Sequence, residues 1–254
     1  MNPATLHVVG LGPGDAQCLT PQARQVLHEA RCVAGYHLYM DLVPPELLEG
    51  KTRISTGMRQ EAERCAAAVD AALAGEPTAL VCSGDPGIYA LAGLALETLE
   101  ARGLVGVVPF AVVPGVPAVC AAAALLGAPL MHDFAVISLS DCMTPLEQIY
   151  RRVALAAEAD FVICLYNPKS RSRTAYLAEA AKLIQQHRKP ETPVGIVRNA
   201  GREGERAWIT TLEKLPEEPV DMFCVVLVGN SQTYVQNGKM ITPRGYCVRR
   251  EESR

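Results

Sequence analysis

The chain has 254 residues, of which 49% are hydrophobic and 20% charged, and a formal net charge of −3. That balance excludes a disordered polyelectrolyte and allows a core sufficient for one large domain or two modest ones. It also removes any global basic field for nucleic acid or an anionic membrane surface, so an anion site has to be local.

Leu6-His7-Val8-Val9 predicts a strand, followed by the loop Gly10-Leu11-Gly12-Pro13-Gly14-Asp15 and a helix to about Glu29, with Thr20 as N-cap and Pro21 at its first position. The loop invites a dinucleotide reading, but Pro13 has no N–H to give a phosphate and Asp15 stands where the third glycine belongs. It reads equally as a tight turn. Strands are expected at Arg31–Ala34, Arg53–Ser55 and Thr78–Cys82, with helical periodicity over Gln60–Leu73 and Ile88–Ala101. The first half alternates strand and helix, as a mostly parallel sheet requires.

Ser83-Gly84-Asp85-Pro86-Gly87-Ile88-Tyr89 follows an apolar strand end, where open α/β sheets bind ligands. Asp85 could accept hydrogen bonds from a ligand hydroxyl or ammonium, or cap a helix starting near Pro86, or do both. A buried strand ending in Pro114-Gly115-Val116-Pro117 marks the crossing between two lobes, 1–113 and 114–246, with 247–254 a frayed tail. Beyond it the sequence predicts a helix over Ala118–Leu126, strands near Phe134–Ser138 and Asp160–Leu165, and a helix from Thr174 to Gln186. Strands near Val194–Val197, Ala207–Thr210 and Phe223–Val228 follow. With fewer helices between late strands, a mixed sheet is expected in the second lobe.

Two polar segments complete the candidates. Tyr166-Asn167-Pro168-Lys169-Ser170-Arg171-Ser172-Arg173 puts three cations just before a helix N-terminus, against the helix dipole. That suggests an external anion, for which arginines offer bidentate bonds to carboxylates; a solvated basic loop is the equal alternative. His132-Asp133 and Ser138-Leu139-Ser140-Asp141 offer groups for proton exchange or ordinary loop contacts. Nine cysteines occur without a Cys-x-x-Cys pair, so they read as buried or free thiols of a reducing cytosol rather than zinc or redox motifs, and no metal-ligand spacing is seen. No signal peptide or membrane-length apolar run is visible, so a cytoplasmic protein is expected.

Taken in order, these loops resemble the tetrapyrrole methyltransferases, and most closely the precorrin-3B C17-methyltransferase family of cobalamin biosynthesis. The shared features are Gly12–Gly14, Gly84–Pro86 and Pro114–Val116. Those of the C17 branch are the run from Leu126 to Phe134, Ser138–Asp141, Tyr166–Ser170, Val228-Gly229-Asn230 and Ile241–Tyr246. The resemblance implies a two-lobed α/β tetrapyrrole methylase fold, homodimeric, with S-adenosylmethionine in the cleft between lobes. Cofactor contacts would come from Pro13, Gly84, Asp85, Ile88, Val116, Pro117, Ala118, Tyr166, Asn167, Asn199 and Ala200. Pro117 stands where many relatives have threonine, and Asn167 where several have methionine.

The implied reaction methylates C17 of precorrin-3B, or of its cobalt-containing counterpart, and is coupled to ring contraction. His132, Asp133, Ser140 and Asp141 are the candidates for the proton transfers. Lys169, Arg171, Arg173 and Arg198 are the candidate clamps for the tetrapyrrole's carboxylates. Alternatives are a C11 or C20 methyltransferase or diphthine synthase, a nicotinamide-dependent oxidoreductase, and a non-catalytic tetrapyrrole carrier.

Overall fold

The computed structural model describes residues 2–170 and 173–246; Arg171 and the 247–254 tail, with Cys247, lie outside them. The chain divides into two compact units, Met1–Ala118 and Val119–Arg254.

The N-terminal unit is a five-stranded, wholly parallel sheet ordered β3-β2-β4-β1-β5. Its strands are β1 (Leu6–Gly10), β2 (Cys32–Tyr36), β3 (Thr52–Thr56), β4 (Thr78–Cys82) and β5 (Phe110–Val113). Helices α1 (Pro21–Glu29), α2 (His37–Met40), α3 (Glu61–Leu73) and α4 (Ala92–Ala101) connect or flank them. Alternate side chains serve opposite faces. Leu6, Val8, Leu80 and Cys82 pack with Cys65, Val69, Ala95 and Leu99 of α3 and α4, whereas Val9, Ala79 and Val81 pack with Ala23 and Leu27 of α1 and Met40 of α2. Burial on both faces explains why β4 reads as an unbroken apolar run. The entry to α1 forms as expected, with Thr20 Oγ1 accepting from Ala23 N at 3.1 Å and Pro21 at the first position.

The helix α5 (Ala118–Leu126) leads into the C-terminal unit, with β6 (Gly127–Ala128), β7 (Phe134–Ser138), α6 (Leu146–Glu158), β8 (Val162–Tyr166) and α7 (Tyr176–Gln185). There follow β9 (Pro193–Arg198), β10 (Arg206–Thr211), β11 (Cys224–Val228), β12 (Tyr234–Gln236) and β13 (Lys239–Ile241). The main sheet runs β10-β9-β11-β8-β7 and is mixed: β7 and β8 are parallel, and the other pairs antiparallel. Helices α6 and α7 supply Ile149, Val153, Ala180 and Ile184 to its core. On the opposite face, a Cβ on Gly195 would lie 2.4 Å from Leu126 Cδ1, so the end of α5 packs directly on the strand backbone. A small sheet, β12-β13-β6, completes the unit. No helix among the described residues is long and apolar enough to cross a membrane.

Candidate functional site

In the N-terminal unit, neighbouring strands β4, β1 and β5 end side by side, and all three glycine loops follow their carboxyl ends, where parallel sheets place ligands. The loops meet main chain to main chain. A Cβ on Gly115 would stand 2.2 Å from Gly84 O, and one on Gly10 would stand 2.6 Å from Gly115 N and 2.7 Å from Gly84 O. Gly12 and Gly84 exchange backbone hydrogen bonds of 3.2 and 2.7 Å, with Gly84 at φ 71°, a left-handed conformation suited to glycine.

Asp85 joins these loops rather than capping a helix. Its Oδ1 accepts from Gly87 N at 2.8 Å and its Oδ2 from Gly115 N at 3.1 Å. The helix expected near Pro86 begins only at Ala92, because Tyr89 takes φ 53° and interrupts the turn. Asp15 likewise has a local role, accepting from Gln17 N at 2.8 Å to cap a short 3-10 turn.

The residues present fit S-adenosylmethionine. Each Asp85 oxygen accepts one backbone N–H bond and retains capacity for a hydroxyl or ammonium. Ile88, Val116, Pro117 and Ala118 are half-buried and offer an apolar border, while Pro13 is buried in the loop before them. Beside Gly84 the nearest atoms to an added Cβ are Ala118 N at 3.8 Å and Pro117 Cα at 3.9 Å, so the main chain is open to close approach. The border is neutral apart from Asp85, which suits a cation better than a pyrophosphate.

In the C-terminal unit, β11 is antiparallel to both β8 and β9, so β7, β8 and β9 point the same way. Ser138, Tyr166 and Arg198 therefore end strands at one edge of the sheet, and the loops after them share that edge. Tyr166 Oη accepts from Val119 N at 2.7 Å, near the start of α5. Asn167, at φ 51°, donates from Nδ2 to Ser138 Oγ at 3.0 Å, and Ser140 N donates to the same oxygen at 3.2 Å. Arg173 donates to Ser140 Oγ at 2.5 Å and from Nε to Ser170 Oγ at 3.1 Å, and lies 3.5 Å from Asp141 Oδ1. Tyr176 Oη donates to Asp141 Oδ2 at 2.8 Å. That hydrogen bond, with the Arg173 charge beside it, holds the Asp141 carboxyl below its ordinary range, and the same hydrogen bond raises the Tyr176 phenol.

The candidate acid–base residues thus fall into two places. Ser140 and Asp141 belong to this polar cluster, whereas His132 and Asp133 precede β7 and lie at its other end, roughly 15 Å or more away along the strand. His132 Nδ1 accepts from Asp133 N at 2.9 Å, a local turn contact, and both side chains are exposed.

The candidate clamps divide as well. Lys169 has no hydrogen-bond or ion-pair partner among the described residues, and Arg171 lies outside them. Arg173 serves the cluster, and Arg198 Nε donates to Asp221 Oδ2 at 2.9 Å, with its guanidinium 6.0 Å from the Phe223 ring centroid. Asn199, at φ 53°, opens a turn in which its Nδ2 donates to Glu203 O at 3.2 Å; Ala200 follows it at the same edge.

Gly10 and Tyr176 were not among the expected site residues. Gly10 closes the strand before the Gly-Pro-Gly loop and was legible as part of it. Tyr176 meets Asp141 across 35 residues of chain, a pairing with no local signal. Burial pushes the thiols of Cys82 and Cys164, on β4 and β8, up to about 12, so neither is a ready nucleophile beside the loops. Among the described residues, no group of three or more His, Cys, Asp or Glu side chains could hold a metal ion.

A family profile described as Tetrapyrrole (Corrin/Porphyrin) Methylases matches residues 5–216. A Salmonella typhimurium protein named probable cobalt-factor III C(17)-methyltransferase is 51% identical over 243 residues, covering 96% of this chain and 100% of that protein. A precorrin-3B C(17)-methyltransferase of Sinorhizobium sp is 38% identical over 250 residues, covering 96% of this chain and 97% of that protein. The crystal structure of the methyltransferase CobJ superposes with a TM-score of 0.89 at 35% identity, covering 94% of this chain and 100% of that one.

Proposed function

The chain belongs to the tetrapyrrole (corrin/porphyrin) methylase family, and on that premise we propose that it methylates C17 of cobalt-factor III, coupled to contraction of the macrocycle, in cobalamin biosynthesis. The cofactor of the family is S-adenosylmethionine. The choice of the cobalt-containing substrate over precorrin-3B follows the higher identity to the cobalt-factor III relative, 51% against 38%. The enzyme works as a cytoplasmic homodimer.

The observation that carries the reading is the junction of Gly10, Gly84 and Gly115 with Asp85 bonded across it. Bound S-adenosylmethionine supplies an electrophilic methyl group, and its transfer leaves the carbon–sulfur electron pair on sulfur. The protein's contribution is to orient the reactants and keep water out, the effects that dominate when charge is dispersed in the transition state. Asp85 holds a cofactor hydroxyl or ammonium, and the half-buried Ile88, Val116, Pro117 and Ala118 border the purine. Tyr166, Asn167, Asn199 and Ala200 are assigned to the cofactor on the resemblance.

Lys169, an unpaired cation, takes a carboxylate arm of the macrocycle, as do Arg171 and Arg198. Arg173 acts on the Ser140–Asp141 loop. Asp141, kept ionised by Tyr176 and Arg173, is the acceptor we assign to proton movement during contraction, with Ser140 beside it; His132 and Asp133 are assigned no step.

Anaerobic incubation with S-adenosylmethionine and either macrocycle tests the proposal. A product heavier by one methyl group at C17 is expected from cobalt-factor III, with kcat/KM at least about tenfold above that for precorrin-3B. Transfer to another carbon, or a preference for the metal-free ring, would overturn the assignment. The Asp85→Ala variant should lose at least about tenfold in affinity for S-adenosylhomocysteine by calorimetry, about 1.4 kcal/mol.

A further inference from the structure

Arg64 of α3 is only 3% exposed, yet it forms no ion pair with any described carboxylate. Arg188, similarly buried, has Asp160 at 3.0 Å. The Arg64 partners are neutral: Nε donates to Thr56 Oγ1 at 2.7 Å, and Nη2 to Gly57 O at 2.9 Å. A guanidinium carries five N–H groups, so the Nη1 pair and one Nη2 hydrogen have no partner among the described residues. Arg188 Nε is the sealed side-chain atom left unbonded among the described residues, so the unbonded Nη1 of Arg64 keeps an opening to its surroundings.

That opening lies at the ligand edge of the parallel sheet. Thr56 ends β3 and Tyr36 ends β2, and both strands run parallel to the three that carry the glycine loops. The guanidinium carbon lies 5.8 Å from the centroid of the Tyr36 ring, and the Tyr36 hydroxyl has no hydrogen bond to a described residue. A mostly buried charge with only neutral partners is costly, and a carboxylate gives a guanidinium two parallel charge-assisted bonds. We propose that Arg64 and the Tyr36 hydroxyl form a carboxylate-binding point at the carboxyl ends of β2 and β3. Its geometry stands alone; the source of the carboxylate, cofactor or macrocycle, rests on the methyltransferase reading.

Arg64→Gln and Tyr36→Phe test it, with folding checked by circular dichroism and Tm. The probes are S-adenosylhomocysteine, 5′-methylthioadenosine, which lacks the carboxylate, and cobalt-factor III. If the site holds the cofactor, S-adenosylhomocysteine affinity falls about tenfold or more while methylthioadenosine stays within about twofold. If it holds the macrocycle, cofactor affinity is kept and KM for cobalt-factor III rises about tenfold or more. Folded variants within about twofold of wild type on every readout overturn the proposal. Should Arg64→Gln not fold, Tyr36→Phe decides by the same thresholds.

Wild-type protein that neither binds S-adenosylhomocysteine nor methylates a macrocycle would sink the methyltransferase reading instead. Succinate then decides the site. A Tm rise over chloride at equal ionic strength, lost in the variants, supports it, and an equal rise in wild type and variants overturns it.

Discussion

At residue scale, the strongest constraint is Gly115. Alanine there would place its Cβ 2.2 Å from Gly84 O, a contact with rigid main chain rather than a flexible side chain. Gly115→Ala is expected to cost about 1–3 kcal/mol, the usual range for overpacking, and to weaken S-adenosylhomocysteine binding by displacing the loop. Thermal unfolding and calorimetry on one preparation check both. Tyr176 supports a different expectation. Because its hydroxyl holds the Asp141 carboxyl low, that interaction stabilises the folded state above the unfolded carboxylate pKa of about 4 and fades as pH falls through the lower folded value. The raised Tyr176 phenol sets the other limit: its contribution is present below the ordinary phenol value and lost as pH rises through the folded one. Tyr176→Phe should therefore lower Tm near neutrality and converge with wild type in acid, and carbon NMR should show the Asp141 carboxyl titrating at higher pH in the variant. The glycines were readable in sequence because close backbone approach demands a residue type. Asp141 and Tyr176 were not readable as a pair, since nothing local couples a residue after β7 to the first residue of α7.

At the scale of elements, capping and periodicity were legible and irregular backbone was not. Thr20-Pro21 announces α1, and the structure places Thr20 Oγ1 on Ala23 N. Thr20→Ala should cost about 1 kcal/mol, seen as a lower urea midpoint with an unchanged slope. The beginning of α4 was set too early, because Ile88 continues its apolar pattern while the left-handed Tyr89 breaks the backbone path. The helix α6 was absent from the expectations, although Ile149, Val153 and Ala157 recur at four-residue spacing on its buried side. The strands β12 and β13 have only three residues each, and β12 is exposed throughout, so they offer no alternation to recognise.

Across the whole molecule, alternating strand and helix pointed to the parallel sheet, and the late run of strands to the mixed one. Strand order was not encoded so openly: β4 between β2 and β1 depends on which apolar faces fit. The polar clusters of the C-terminal unit were likewise assembled by that order, which puts Ser138 beside Tyr166 across the β7–β8 pair. Thiol reactivity offers a test at this scale. Cys120 and Cys142 are exposed, whereas Cys32, Cys65, Cys82, Cys164 and Cys224 are buried and burial raises the thiol of each. Iodoacetamide at pH 8 should label Cys120 and Cys142 in the native protein well before those five, as read by peptide mass spectrometry. Denaturant should abolish the difference.

The glycine junction also links recognition to the history of the chain. Its three members come from strands formed by distant stretches of sequence, and β5, the last of them, must pair beside β1 before Gly115 can reach Gly84. A partly assembled sheet, or one paired a residue out of register, has the same side chains but no junction. On the cofactor role proposed for the junction, ligand occupancy would certify the finished topology of the N-terminal unit, and a chain assembled incorrectly would be invisible to the cofactor.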